Sequence, residues 1–397
     1  MKILLGESSQ NAIEAARYYS KNNHEIILAV PESSKNRPYF FYSRYISKVI
    51  RYDSGSSDLK EIQELKKIYE EESCDIFFPF NFELVTKYIS VISKNEDYLM
   101  NTPYLKGKGY WRLTDKDELY NTATNTNLIL PKKICKITGN NIKRIELINY
   151  PIIIKRTQGA GIIDNIYLAF NFEEAKKFIL KYYDIKAYSN EFLIQEYIPG
   201  EGFDVGGFAV NGELYYAVPQ RRTITLPLRG GVAAVNDIYP DKKLINLASE
   251  IVREAGWTGP FQAEFKWNHI NQKYYLIEVN AKMWGSTPLS LLSNPDILNI
   301  ALNVAKGNKP KKSLEYKTDI RFRWICTQEL LSIYNGDLED FYGFIKRFFK
   351  KANYDFNIYD PIPSILNLYC TINRIIFKKS KIPKPLINKK RLEEYYK

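Results

Sequence analysis

The sequence predicts an α/β protein: two α+β lobes, preceded by a Rossmann-like layer and followed by a mostly helical, basic C-terminal extension. Three observations predict it. KILLGE (Lys2–Glu7), a helix-like Ser9–Lys21 and EIILAV (Glu25–Val30) read as a strand–helix–strand unit, with DIFFPF (Asp75–Phe80) as a later buried strand. From about Leu113 strands and helices alternate in a way that implies two sheets divided by helices. After about Pro310 the helix patterns are mixed and Lys and Arg accumulate.

Element by element, the opening unit implies an open parallel sheet, and its first turn holds a lone Gly6 where a dinucleotide site needs G-x-G-x-x-G. TDKDELYNTATNTNLILPKKI predicts a capped helix that begins near Thr114 and ends before Pro131. Next comes a buried strand in YPIIIKR, whose Lys155 precedes a small loop, Gln158-Gly159-Ala160-Gly161. A helix over Phe172–Tyr183 leads to FLIQEYIPGEG, a strand that ends in a turn. In FDVGGFAVNGELYYAV, Asn211-Gly212 between alternating runs is the strongest short hairpin signal.

A second hairpin carries the chemistry. In Phe261–Trp267 the residues Phe261, Ala263, Phe265 and Trp267 alternate with Gln262, Glu264 and Lys266, so the first set points to a core. In YYLIEVNAKMWGS, Glu278, Asn280 and Lys282 share one face and Ile277, Val279 and Ala281 the other. Asn268–Gln272 closes the turn, and any register that buries both apolar sets puts Glu264 and Glu278 on one face. Facing carboxylates repel. A magnesium ion, which takes oxygen ligands from one or two carboxylates plus phosphate, turns that cost into a site.

Composition narrows the chemistry. A chain of 397 residues with 45% hydrophobic content can bury a large core in two or three domains. The start reads as a strand and turn without a secretory signal, and no run of about 18 apolar residues suggests a membrane span. Cys74, Cys135, Cys326 and Cys370 lie far apart without CxxC spacing, which fits a reducing cytoplasm and indicates neither a zinc site nor a disulfide framework. With only His24 and His269, catalysis must lean on carboxylates, lysines and arginines, an inventory suited to phosphoryl transfer.

The order of these motifs is what carries a resemblance. Lys116, Lys155 with its glycine loop, QEYIPGEG, a hairpin glutamate and then E-x-N-x-K together resemble the ATP-grasp superfamily, in its carbamoyl-phosphate-synthase-like, carboxylate–amine ligase branch. The likeness covers roughly Leu113–Lys306, and Ser43-Arg44-Tyr45 is similar to a feature of that branch's preceding domain. It implies a pre-ATP-grasp domain over residues 1–112, an ATP-grasp domain over 113–308 with its hinge near 195–201, and an extension over 309–397. By resemblance, Lys116 and Lys155 contact ATP phosphates. Gln195, Glu196, Tyr197 and Ile198 form the adenine-reading hinge, and Glu201 binds ribose. Glu264, Glu278 and Asn280 would hold magnesium, with manganese able to substitute. Arg222, or its neighbour Arg221, would take the substrate carboxylate or an acyl phosphate. Lys282 stands where the commonest family form has arginine, which keeps the charge and loses the planar fork. Trp284-Gly285-Ser286 implies packing and a helix start, with Ser286 and Pro288 in a cap region.

The implied activity is ligation of a carboxylate to an amine through an acyl phosphate, with Lys155, Arg222 and Lys282 stabilising charge, in surface-glycan precursor synthesis. A kinase, a ligase with a non-amine acceptor, and a non-catalytic nucleotide-binding or regulatory protein remain open alternatives. The implied partners are small-molecule carboxylates and amines, and an oligomer is left open. Phe341–Lys397 holds 13 Lys/Arg against 4 Asp/Glu, a surplus of +9 within a chain total of +12. FYGFIKRFFKK and IIFKKSKIPKPLINKKR therefore suggest docking at the inner membrane surface, ahead of nucleic acid, while a helical cap with a solvated basic face is the plain alternative.

Overall fold

The computed structural model describes residues 1–6, 9–32, 38–104, 108–156, 166–183, 191–226, 232–335, 342–346 and 351–377. Strands β1 (Lys2–Gly6), β2 (Glu25–Pro31), β3 (Lys48–Tyr52) and β4 (Ile76–Pro79) form a parallel sheet in the order β3-β2-β1-β4. Helices α1 (Gln10–Lys21), α2 (Asp58–Glu71) and α3 (Phe82–Ile92) cover it. Because both faces are covered, neighbouring residues of β1 are all buried: Leu4 packs with Ile27, Phe77 and Leu84, and Ile3 and Leu5 with Ala12, Ala16 and Tyr19. Ser9 caps α1 by accepting from the Ala12 amide, and Asn81 caps α3 through the Leu84 amide.

The capped helix expected to begin near Thr114 and end before Pro131 is α5 (Lys116–Ala123), preceded by a separate short helix, α4 (Lys108–Thr114). Asp115 divides the two, because its side chain accepts from the amides of Asp117 and Glu118 and so starts α5. The second stops early because the Thr124 and Thr126 hydroxyls bond back to the carbonyls of Asn121 and Ala123.

A four-stranded antiparallel sheet follows, with β5 (Lys133–Ile137), β6 (Ile152–Arg156), β7 (Ile166–Ala169) and β8 (Phe192–Glu196) in the order β5-β8-β6-β7. Helix α6 spans Phe172–Tyr183 as expected and buries Ala175, Phe178 and Ile179 against Ile152, Ile154 and Ile194. The expected loop Gln158–Gly161 lies outside the described residues.

The large sheet has β9 (Glu201–Val210), β10 (Glu213–Leu226), β11 (Val232–Ile238), β12 (Gly259–Asn268), β13 (Lys273–Asn280), β14 (Arg321–Arg323) and β15 (Asn353–Tyr354). Their order is β13-β12-β9-β10-β11-β14-β15. Asn211 (φ 49°) and Gly212 (φ 78°) turn β9 into β10, both in the left-handed region that such a two-residue hairpin requires. Helix α7 (Lys242–Ala255) and the helices α8 (Thr287–Ser293) and α9 (Asp296–Ala305) share this sheet's core. The chain after Pro310 is less purely helical than its pattern implies, since β14 and β15 extend the sheet.

One further expectation is corrected. Glu264 pairs with Glu278 but Phe265 pairs with Leu276, so Ile277 is the extra residue of a β-bulge and Leu276 takes the core position that strict alternation gives Ile277. Ser286 stands at the N-cap of α8 with Pro288 in its first turn, as expected, and its buried hydroxyl makes no cap bond.

Helices α10 (Leu330–Asn335) and α11 (Pro361–Phe377) complete the described chain. Asp360, at the start of α11, accepts from Ser43 Oγ (2.7 Å), Arg17 Nε (3.0 Å) and the Arg44 amide (3.1 Å), which ties the Ser43-Arg44-Tyr45 motif directly to the start of this helix.

Candidate active site between the two sheets

Two lysines enter the cleft from one side. Lys155 comes from β6 and is 5% exposed; Lys116 is the first residue of α5, and its Nζ donates to the Arg156 carbonyl at 2.6 Å. A cation at a helix N-terminus opposes the helix dipole, so local stability does not explain Lys116. Burial pushes both ammonium groups below their ordinary value, while Glu278 pulls each of them back up.

The carboxylate hairpin forms the other side. Glu264 and Glu278 are direct cross-strand partners. Asn280 Nδ2 lies 3.1 Å from Glu264 Oε1 and 3.2 Å from Glu278 Oε1, one amide dipole serving both carboxylates. Burial, together with Glu278 and Asp204, pushes Glu264 up to about 8 in spite of Arg222. Burial works against the charge of Glu278 too, yet Lys155, Lys116 and Asn280 hold it below its ordinary value. Among the described residues no group of three or more His, Cys, Asp and Glu forms a metal cage. Two carboxylates and an amide oxygen are nevertheless the donor set that a magnesium ion shares with phosphate.

Arg222 and Arg221 lie on β10. Arg222 points inward: its Nε and one terminal nitrogen hold Asp204 at 2.8 and 2.6 Å, and the latter nitrogen reaches Glu264 at 2.6 Å. Arg221 pairs with Glu201 at 2.8 Å at the cleft's edge. Gly230 and Gly231 lie outside the described residues. Lys282 is half-buried just beyond β13, lowered by burial, and donates to the Met283 carbonyl at 3.3 Å.

At the end of β8 the side chains are already engaged. Gln195 Nε2 donates to Tyr120 Oη at 2.6 Å, and Glu196 Oε1 accepts the Lys132 amide at 2.6 Å. Both the side chain and the amide of Glu196 are thus tied to Lys132. Lys266, two residues beyond Glu264 on β12, donates to the Ile198 carbonyl at 3.0 Å and sits 4.9 Å from the centre of the Tyr197 ring. Burial, with the charges of Lys155 and Arg222, lowers it to about 8.

The structure therefore brings Lys116, Lys155, Arg222, Glu264, Glu278, Asn280 and Lys282 into one electrostatic unit, with Tyr197, Ile198 and Glu201 toward one end. Two members were missed. Asp204 is 1% exposed and pairs with Glu264 across β9 and β12; its signal was a charge in the middle of the apolar, glycine-containing run FDVGG. Lys266 was signalled by its place on the Glu264 face.

Comparison with known proteins gives the same class. The chain has the ATP-grasp fold. Residues 188–328 match the family described as ATP-grasp in the biosynthetic pathway with Ter operon. Biotin carboxylase from Campylobacter jejuni is similar over 81% of this chain and 74% of its own, with 17% identity and a TM-score of 0.65. L-amino acid ligase from Bacillus licheniformis is similar over 77% and 74%, with 12% identity and a TM-score of 0.60. The ADP complex of N5-carboxyaminoimidazole synthetase from Staphylococcus aureus is similar over 81% and 80%, with 14% identity and a TM-score of 0.61. At these identities the likeness is one of fold. No curated protein matches the sequence significantly.

Proposed function

We propose that this chain is an ATP- and magnesium-dependent ligase that joins a carboxylate to an amine. The observation that carries the reading is the direct pairing of Glu264 with Glu278 opposite two lysines, the buried Lys155 from β6 and Lys116 from the first turn of α5. Such an arrangement suits two ligands of opposite charge: a cation can share Glu264 and Glu278 with Arg222 and Asn280, and an anion can share Lys116 and Lys155 with Glu278. A metal–nucleotide complex supplies both. Solved structures of the same fold support the reading, one a biotin carboxylase with Mg-ADP and bicarbonate, another an L-amino acid ligase.

In this mechanism residues 113–308 form the nucleotide-binding unit and residues 1–112 the domain before it. Glu264, Glu278 and the Asn280 side-chain oxygen hold magnesium or manganese, which neutralises phosphate charge when bound. Lys155 and Lys116 orient the phosphates, and their burial keeps water from screening them. The backbone at Glu196–Ile198 faces the base, with Lys266 beside it, and Glu201 faces the ribose. Arg222, held by Asp204 and Glu264, is the guanidinium placed to take the substrate carboxylate with its planar fork. The carboxylate oxygen attacks the γ-phosphorus as the bond to the ADP oxygen breaks. The amine then attacks the acyl carbon, loses a proton and expels phosphate. Lys282 and Arg222 stabilise the charge of the acyl phosphate.

A second reading, a nucleotide-binding protein without ligation, is favoured by one residue: Lys282 cannot offer the two-point contact of a guanidinium. The test is magnesium-dependent ADP and phosphate release against pooled amino acids, amino sugars and uronic acids, the last two representing surface-glycan precursors, with Lys155→Ala as control. Release that needs both an acid and an amine and vanishes in the variant establishes the ligase. ATP binding without release from any pool favours the second reading.

A further inference from the structure

Helix α11 is apolar on two sides. Its inner side presents Pro363, Ser364, Asn367 and Thr371, with Leu366 against Ile13 and Phe40 and Ile375 against Leu331, while Ile362, Ile365, Tyr369, Ile372 and Ile376 are between 42% and 61% exposed. Those five positions are spaced three, four, three and four residues apart, which places them along one face of the helix. Leaving such a face in water costs free energy that a partner surface would recover. The orientation is fixed by specific contacts. Thr371 Oγ1 donates to the Cys326 carbonyl at 2.7 Å, Ser364 Oγ accepts the Asn357 amide at 3.1 Å, and Asp360 is tied to Arg17 and Ser43. Immediately before the helix, Ile358 and Tyr359 are 71% and 67% exposed.

We propose that the outer face of α11 docks on an anionic membrane surface. Charge selects this occupant over a second copy of the chain. The 20 residues that follow Phe377 carry eight Lys/Arg and two Asp/Glu. A second copy brings the same surplus, whereas acidic lipid brings its complement. Tyrosines at Tyr359 and Tyr369 suit a boundary with one wet and one apolar side. Among the described residues no helix is long and apolar enough to cross a membrane, so the contact is peripheral.

The test is flotation of the full chain with vesicles of equal parts phosphatidylcholine and phosphatidylglycerol, or of phosphatidylcholine alone, alongside light scattering for oligomeric state. The wild type floats with the mixed vesicles, stays in the dense fraction with phosphatidylcholine, and detaches as salt is raised. The Ile365→Ser, Ile372→Ser double variant keeps its circular dichroism and lowers vesicle partition about a hundredfold, roughly tenfold for each isoleucine withdrawn from hydrocarbon. Replacing Lys378, Lys379, Lys381 and Lys384 by glutamine removes the salt-sensitive part, about fivefold for each cation. Three results overturn the proposal: a wild type that stays in the dense fraction with both vesicles, one that floats equally on both, or a solution dimer that the double serine variant splits, in which case a second copy covers the face.

Discussion

Arg222 reaches Glu264 at 2.6 Å with the same guanidinium that holds Asp204 at 2.8 and 2.6 Å, so one cation sits between two carboxylates of adjacent strands. Asp204 is 1% exposed, and its own carboxyl is pushed upward by burial against the pull of Arg222. That geometry separates two jobs. Asp204 holds the arginine in place, and Glu264 shares it with whatever cation enters the cleft.

Asp204→Asn tests the first job. The change keeps the shape but replaces charge-assisted bonds to Arg222 by neutral ones while Glu264 still pairs with the guanidinium, which costs about 1.5–3 kcal/mol of stability. Thermal unfolding should begin at a lower temperature. If the single variant unfolds like the wild type, the pair contributes nothing to the fold.

Glu278→Gln tests the second. The substitution keeps the size and one oxygen but removes the charge that Lys155 and Lys116 face. Losing one preorganised electrostatic contact lowers turnover about 10²–10³-fold. Magnesium titrations of ADP release should also shift to higher metal concentration. Full turnover at unchanged magnesium dependence would remove Glu278 from the metal site.

Much of this cleft was legible because strands have a period of two. Given that period, Phe261, Ala263 and Phe265 in the core force Glu264 onto the face that Glu278 occupies, and the pairing found is the direct one. Helix α6 and the Asn211-Gly212 turn were legible for similar local reasons. What escaped depends on partners distant in sequence. Nothing local in Asp204 announces that β10 will deliver Arg222 to it. Ser43 and Asp360 stand 317 residues apart, and only the fold joins them. The bulge at Ile277 was hidden because one extra residue leaves the composition of the strand unchanged.

The pH dependence follows from Glu264. Its folded pKa is raised from 4.5 to about 8, so between those values the folded protein holds more of a proton than the unfolded chain. Stability from this group is therefore present at the acid end and falls as pH rises from 4.5 toward 8. Magnesium needs the ionised form, so its affinity should rise about tenfold per pH unit below 8 and level off above it. Because Glu264 and Glu278 interact, the midpoint belongs to the pair. Thermal unfolding across this range, with and without saturating magnesium, should show the decline and its reversal. Glu264→Gln should abolish both, and a flat profile in the wild type would contradict the buried, raised carboxyl.

Gly206→Ala probes how the strand beneath the site is held. A Cβ at this position would stand 2.0 Å from Trp284 Cζ2 and 2.4 Å from Cε2, with Trp284 fully buried. The indole cannot turn aside without leaving the core, so the sheet must give instead, at about 1–3 kcal/mol or more. Trp284 is two residues from Lys282 and four from Asn280, and the shift should reach the cleft as well as the core. The expected result is a lower unfolding temperature together with weaker magnesium dependence of ADP release. Restoring room with Trp284→Phe in the alanine background should recover stability. Should Gly206→Ala unfold like the wild type, the close approach of β9 to Trp284 is not what sets this strand's position.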